Sequence, residues 1–280
     1  MRTKSLMLLV SILSLSACRK DKCPTEPPPN PKPINDIPAV QLRTMSVDKL
    51  PSPWYAFTYD TEGYITTLNH AAGVIRYDID YLNGRVRTLQ ANKGVPGNVN
   101  KDILRYTYSN SLVATITVTN SNKQVYRAAK LTYTAAHQLQ QLTWQIDTGS
   151  NVLIDEQTLT FSYYPDGNLR TIDFHQLPVS PFLDTRYADH FEQYDTKVNP
   201  DGFALLHTPL HHPVLLPSIR LQKNNPGRYY RTSAAAATFD ARYTYTYDAA
   251  GRPVRKTGPV SFKDTNGTTG TYTSIIDFTW

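Results

Sequence analysis

The strongest constraint on this chain is a short pattern that returns along its length. The clearest copy is Tyr243-Thr-Tyr-Thr-Tyr247-Asp248-Ala-Ala-Gly251-Arg-Pro-Val254. Alternating aromatics run into an Asp-x-x-Gly turn, and a second β-like run follows. Tyr55-Ala-Phe57-Thr-Tyr59-Asp60-Thr-Glu-Gly63-Tyr-Ile65-Thr-Thr-Leu68 is a cousin, and Leu159–Ile172, with Asp166-Gly167 at its turn, is a third. Period two places Tyr55, Phe57 and Tyr59 on one face of a strand, with threonines on the wet face. Asp bonds its own downstream backbone, and Gly accepts positive φ without a Cβ penalty. Each copy therefore reads as strand, tight turn, strand.

Weaker copies fill the space between. Tyr77–Leu89 turns on Asn83-Gly84, a strong hairpin signal. Leu104–Val118 has Asn110 in that role, and Leu131–Leu142 has lost both Asp and Gly. Copies recur at roughly 20–30 residues, the spacing of repeated supersecondary units. The expected fold is all-β: an antiparallel meander of Tyr-rich hairpins that forms a curved sheet or half-barrel, because long twisted sheets rarely stay flat.

The N-terminus reads as an address. Residues 1–17 have a basic start at Arg2 and Lys4, a short apolar run over Leu6–Leu15, and small residues before Cys18. That is a signal peptide, and its apolar run falls short of the ~20 residues a spanning helix needs. Residues 18–38 are a Pro-rich tether that prefers an extended conformation. Cys18 and Cys23 are the only cysteines, so the domain does not rely on a disulfide.

Residues 39–280 form the expected single domain. The formal charge is +6 for the whole chain and falls to +3 once residues 1–38, with six basic and three acidic side chains, are set aside. No Lys/Arg cluster accompanies the aromatics, which argues against a nucleic-acid partner. The repeat rhythm stops over about 177–231, read as an insertion. Within it Asp184–Tyr194 carries Tyr187, Phe191 and Tyr194 at helical spacing and predicts a short amphipathic helix. Pro209, Pro213 and Pro217 exclude a central strand from the next stretch.

Two resemblances follow from these motifs. Leu15-Ser16-Ala17-Cys18 resembles a bacterial lipobox, which implies lipidation at Cys18 and a membrane partner through that anchor. The Tyr-Asp-x-x-Gly hairpins resemble YD repeats of the large Rhs-type shell proteins. The whole order looks like that of small Bacteroidetes lipoproteins of unknown function, matched here by Tyr194-Asp195, Asn199-Pro200, Asn225-Pro226 and Tyr247-Asp248-Ala-Ala-Gly251. The resemblance spans roughly Trp54 to Trp280 and implies an outer-membrane lipoprotein. In related lipoproteins an acidic run after the cysteine marks surface export. Arg19 and Lys20 stand there instead, which points to a periplasm-facing anchor.

Few constellations carry chemistry. His207, His211 and His212 are candidate metal ligands, with Asp201 or Asp195 to complete a site. Pro209 stops a helix from presenting the first two together. Asp60, Asp78, Asp80, Asp147, Asp155, Glu156, Asp166, Asp173 and Asp248 are the carboxylates from which a glycosidase pair would be drawn, but most sit where turns need Asp. The expectation is a membrane-anchored, non-catalytic binding or structural module of the cell envelope, with no cofactor and with a glycan or envelope protein as partner. The alternatives are a glycan-acting hydrolase and a carrier of an apolar ligand, the latter requiring a cavity inside the curled sheet.

Overall fold

The computed structural model describes residues 36–93, 101–208 and 211–280; Cys18, Cys23 and most of the tether lie outside them. The chain runs up and down through β1 (Thr44–Val47), β2 (Tyr55–Tyr59), β3 (Ile65–His70), β4 (Ile75–Leu82), β5 (Arg85–Lys93) and β6 (Ile103–Ser109). It continues through β7 (Leu112–Thr119), β8 (Val125–Tyr133), β9 (Leu139–Asp147), β10 (Leu153–Tyr163), β11 (Leu169–Gln176) and β12 (Thr185–Tyr194). A small separate pair follows, β13 (Ala204–Leu206) and β14 (Val214–Leu216). The wall resumes with β15 (Pro226–Thr232), β16 (Thr238–Arg242), β17 (Thr244–Tyr247), β18 (Pro253–Lys263) and β19 (Thr269–Thr279).

The expected half-barrel closes completely. β1 pairs antiparallel with both β2 and β19, so the wall has no free edge. β16 and β17 both pair with β18 and act as one interrupted strand, which gives a closed antiparallel barrel of sixteen strands. Closure removes the exposed edges that an open meander would offer to other chains.

A repeated β-bulge explains how the pattern curls. After the tight turn, the return strand carries one extra residue: Thr58 faces Thr67 while Tyr59 faces Ile65. The same shift occurs at Tyr81, Tyr108, Tyr133, Tyr163 and Tyr247. Bulges bend and twist the strand that carries them. They also let residues three apart face inward together, so Ile65 and Leu68, Val86 and Leu89, and Leu139 and Leu142 are all buried. Strict alternation would have put one of each pair in water.

A second ring of tyrosine bonds follows the bulges. Hydroxyls donate to a backbone carbonyl of the preceding copy from Tyr81 to Ile65, Tyr108 to Val86, Tyr133 to Val113 and Tyr163 to Leu139, and Tyr194, which is at no bulge, reaches Leu169 likewise. Tyr247 donates to the Asp195 carboxylate instead, and Tyr245 reaches the Pro226 carbonyl. Tyr59 reaches Leu42, and the indole of Trp280 reaches Pro253 in the same manner. These bonds staple consecutive hairpins around one rim. The Asp turns lie just outside it. Asp60 accepts from the amides of Glu62 and Tyr64, and Asp248 from those of Ala250 and Arg252. Where Asp is absent, Thr134 takes its place and His137 adopts the left-handed backbone otherwise given to Gly.

There is no helix among the described residues, which corrects the expectation for Asp184–Tyr194. That segment is β12, paired with β11 and β15. Tyr187, Asp189 and Phe191 alternate toward the interior. Gln193 then adopts φ of 59° and shifts the alternation by one, so that Tyr194 rejoins the rim. A helical spacing was thus produced by a strand with a dislocation. The insertion is correspondingly shorter than about 177–231. It replaces the turn of one hairpin between Tyr194 and Pro226, where Asp195 still caps the backbone of Lys197 and Asn225.

This insertion fills the lumen. Phe203, Ala204, Val214, Leu215 and Leu216 are buried against inward residues of the wall. Gly202 packs so closely on Val40 that a Cβ would lie 2.4 Å from its amide nitrogen, and its carbonyl accepts the amide of Ala39. Asp36 is buried and accepts from the Val86 amide, Arg85 and the Tyr108 hydroxyl. Pro213 and Pro217 flank β14 and are tolerated because that strand is three residues long and stands apart from the main sheet.

Candidate functional site

The interior has two unlike arcs. From β2 to β11 the wall meets the plug in a dense apolar core. From β12 to β19 the inward side chains are tyrosines and charges that keep part of their surface.

The three histidines sit in the plug, each bonded to a different part of the wall. His207 Nδ1 lies 2.6 Å from the Tyr55 hydroxyl on β2, and its ring meets that of His70 edge-on at 4.7 Å. Burial, helped by the neighbouring imidazoles, lowers the His207 pKa to about 4. His211 stacks on Trp144 at 4.5 Å, and its Nε2 lies 3.1 Å from Glu156 Oε2. Its Nδ1 lies 2.7 Å from Thr208 Oγ1, so the partners fit a neutral ring that donates from Nε2 and accepts at Nδ1. Burial holds His211 below its ordinary value against the pull of Glu156. Burial would raise Glu156, but His211 and Arg127 outweigh it and keep the carboxyl below its ordinary value. His212 bridges the Tyr77 hydroxyl and Asp102 at 3.0 Å each. The histidines therefore pin the plug at several points. No group of three or more His, Cys, Asp or Glu among the described residues is placed to hold a metal.

The candidate carboxylates are dispersed. Asp60, Asp147, Asp166 and Asp248 hold turns through backbone amides. Asp78 and Asp80 lie on the outer wall, paired with Arg76 and Arg87. Asp155 bonds Gln145, Glu156 is enclosed with Arg127 and His211, and Asp173 sits exposed opposite Ala188.

The open arc was not legible as a site. Asp189 on β12 receives both Arg231 Nε at 2.7 Å and Nη2 at 2.9 Å, and the Tyr229 hydroxyl at 2.9 Å. The Arg231 guanidinium lies 3.6 Å from the centre of the Tyr187 ring. Where the two arcs meet, a cavity of about 450 Å³ separates the plug from the wall, with Leu159 of β10, Ile172 and Phe174 of β11 and Phe191 of β12 on the wall side and Asp201, Phe203 and Leu206 on the plug side. That volume falls within the range of small-molecule sites. Asp201 is exposed and lines this cavity. Burial raises its pKa to about 6. Lys256, inward on β18 between Tyr245 and Ile276, lies 3.9 Å from the Tyr243 ring centre, and burial lowers its pKa to about 8.

The outer wall is hydrophilic. Threonine and serine pairs such as Thr58 with Thr67 and Ser162 with Thr171 bond across it, and Arg255 with Asp277 and Arg228 with Asp240 form ion pairs on it. A barrel that faces lipid shows the reverse order, apolar outside and polar within.

No protein-family model matches the chain, and no curated protein does. Among solved structures it is similar to a porin-like protein from Bacteroides uniformis ATCC 8492, with a TM-score of 0.52 at 14% identity over 80% of this chain and 88% of that one. A porin-like protein from Bacteroides vulgatus ATCC 8482 gives 0.49 at 11% identity over 86% of this chain and 99% of that one. A Photorhabdus luminescens Tc holotoxin pore gives 0.30 at 15% identity, over 75% of this chain and 11% of that one. The first likeness is one of fold, the closed barrel; the other two scores are too low to carry an argument.

Proposed function

We propose that this protein is a non-catalytic binding module of the cell envelope, held at the outer membrane through lipidated Cys18 and facing the periplasm. One observation carries the reading: the barrel is inverted relative to a membrane pore. Its lumen is plugged and apolar on one arc, and its outer wall bears Thr, Asp, Glu and Arg. Such a barrel stands beside a bilayer, and a lipidated cysteine with a Pro-rich spacer supplies the attachment. The barrel likeness to a porin-like protein supports the envelope but not the pore. The lumenal cavity favours binding over a purely structural role.

The test pairs Cys18→Ala with the natural chain. The natural chain should incorporate labelled fatty acid and leave membranes only with detergent, and the variant should be released as a soluble protein. Stepwise conductance of the natural chain in planar bilayers, or a variant that stays embedded after alkaline washing, would overturn the reading.

A further inference from the structure

Inside the barrel, charges meet in pairs: Asp36 with Arg85, Glu156 with Arg127 and His211, Asp189 with Arg231. Arg220 and Lys223 do not follow that rule. Both line a groove of about 820 Å³ between the β8–β9 turn, the β10–β11 turn and residues 218–223 of the plug. Among the described residues no Asp or Glu side chain lines this groove, and neither cation has a carboxylate within ion-pair distance.

Both cations are fixed before any ligand arrives. The Arg220 Nε is buried without a hydrogen-bond partner, and Nη2 reaches the Lys223 carbonyl at 3.4 Å. Burial disfavours the Arg220 charge, and Asp201 supports it from the other cavity with no ion pair between them. The Lys223 amide donates to Oδ1 of the buried Asn168 at 2.9 Å. Its Nζ donates to the Asp166 carbonyl at 2.8 Å, which leaves two of its three protons. The Asp166 carboxylate turns instead to the amide and carboxamide of Asn168. The Lys223 ammonium and the Gln138 carboxamide stand together over Gly167, 2.5 and 3.5 Å from the place its Cβ would take.

Two fixed cations in a groove without carboxylates suit an anion, which restores the attraction that burial of Arg220 forfeits. The rest of the lining says what carries the anion. Gln138, Gln140 and Ser218 make no side-chain hydrogen bond among the described residues, so their donors and acceptors match hydroxyl groups. A hydrocarbon body would leave them unmatched. We propose that the groove binds a small anionic sugar, a sugar acid or a sugar phosphate, with its charged group on Arg220 and Lys223 and its hydroxyls on Gln138, Gln140 and Ser218. This rests on the binding reading above and is independent of the anchor.

The experiment is calorimetric titration of the full chain in detergent with glucuronic acid, galacturonic acid and glucose 6-phosphate. Beside them run glucose and the methyl ester of glucuronic acid, which lack the charge, and acetate and inorganic phosphate, which lack the sugar. The expected result is saturable binding by at least one anionic sugar and a loss of about tenfold or more on removing either part, the scale of a charge-assisted hydrogen bond. Whether acid or phosphate binds tells the two sources apart. Arg220→Gln and Lys223→Gln should each weaken the same ligand by a comparable factor while the near-ultraviolet dichroism stays native. The neutral and sugar-free compounds test the assignment on the natural chain, without relying on a variant that folds. No binding by any anionic sugar up to about 10 mM would overturn it. So would equal binding of glucose or the ester, equal binding of acetate or phosphate, or indifference to both substitutions. A failed titration alongside intact fatty-acid labelling overturns the ligand and leaves the anchor standing.

Discussion

Two arcs of one barrel share a wall and differ in what they face. β2 to β11 and β12 to β19 carry the same bulges and the same rim of Tyr or Trp bonds. In the first arc Leu68, Leu89, Leu104, Ile116 and Leu142 are almost fully buried on the plug. In the second, Ala241, Val260 and Phe278 are the buried hydrophobics of the wall, and the remaining inward positions go largely to Tyr187, Tyr229, Arg231, Tyr245 and Lys256. The repeat therefore specifies the wall, while the single plug specifies which arc becomes core and which keeps a cavity. The dense packing belongs to the first arc, and the cavity opens where the first arc gives way to the second.

The largest effect should come from removing the plug. Replacing residues 196–224 by a short Asp-x-x-Gly turn restores an ordinary hairpin between Tyr194 and Pro226, yet strips Phe203, Leu215 and Leu216 from the core. A wall that loses its filling keeps strands and loses fixed packing. We expect far-ultraviolet dichroism to persist while cooperative thermal unfolding disappears. A sharp calorimetric transition in this variant would show that the rim alone holds the barrel.

The next contrast sets one buried acid in each arc against the other. Glu156→Ala removes the buried carboxylate that Arg127 and His211 share and should cost about 3–5 kcal/mol. For a domain of this size that is a fall in Tm of roughly 6–20 °C. Asp189→Ala frees an Arg231 that borders the cavity and remains over the Tyr187 ring, so its loss should be less than half as large. Equal losses in thermal melts would erase the distinction between the arcs.

A smaller effect tests the rim. Tyr133→Phe removes one phenol and leaves the Val113 carbonyl without that donor, at a cost of about 1 kcal/mol. Trp280→Phe should cost a similar amount at the chain terminus, because its indole occupies the equivalent place. Denaturant midpoints that fall with unchanged slopes would confirm both.

These contrasts also separate what the sequence could say from what it could not. The hairpins were legible because turn chemistry is local: Asp60-x-x-Gly63 and Asn83-Gly84 determine their own backbone. Closure was not, because it depends on β1 meeting β19 across the whole chain. The bulges left a trace in the spacing of three between Ile65 and Leu68, which mimics a helix as easily as a dislocated strand. The same ambiguity turned Tyr187, Phe191 and Tyr194 into an expected helix. Histidines drew attention as metal ligands, whereas they fasten the plug.

The pH dependence gives the smallest and most pointed test of the open arc. Asp201 has its pKa raised from 3.8 to about 6, so the folded state binds its proton more readily than the unfolded chain does. Its contribution to stability is present below pH 3.8 and is lost as pH rises through 6. His207 runs the other way. Its folded value is about 4 against 6.5, so stability is lost as pH falls from 6.5 toward 4. Between pH 7 and 5 the two oppose each other, and both keep accessible surface that weakens the effect. The natural chain should therefore show a shallow Tm profile there. Asp201→Asn removes the acid's charge: its Tm should lie a few degrees above that of the natural chain at pH 7.5, and the advantage should vanish near pH 4. A variant that is less stable at pH 7.5 would mean that Asp201 already has a partner of its own. An advantage at neutral pH that disappears on acidification is the mark of a carboxylate held without one, at the expense of the fold.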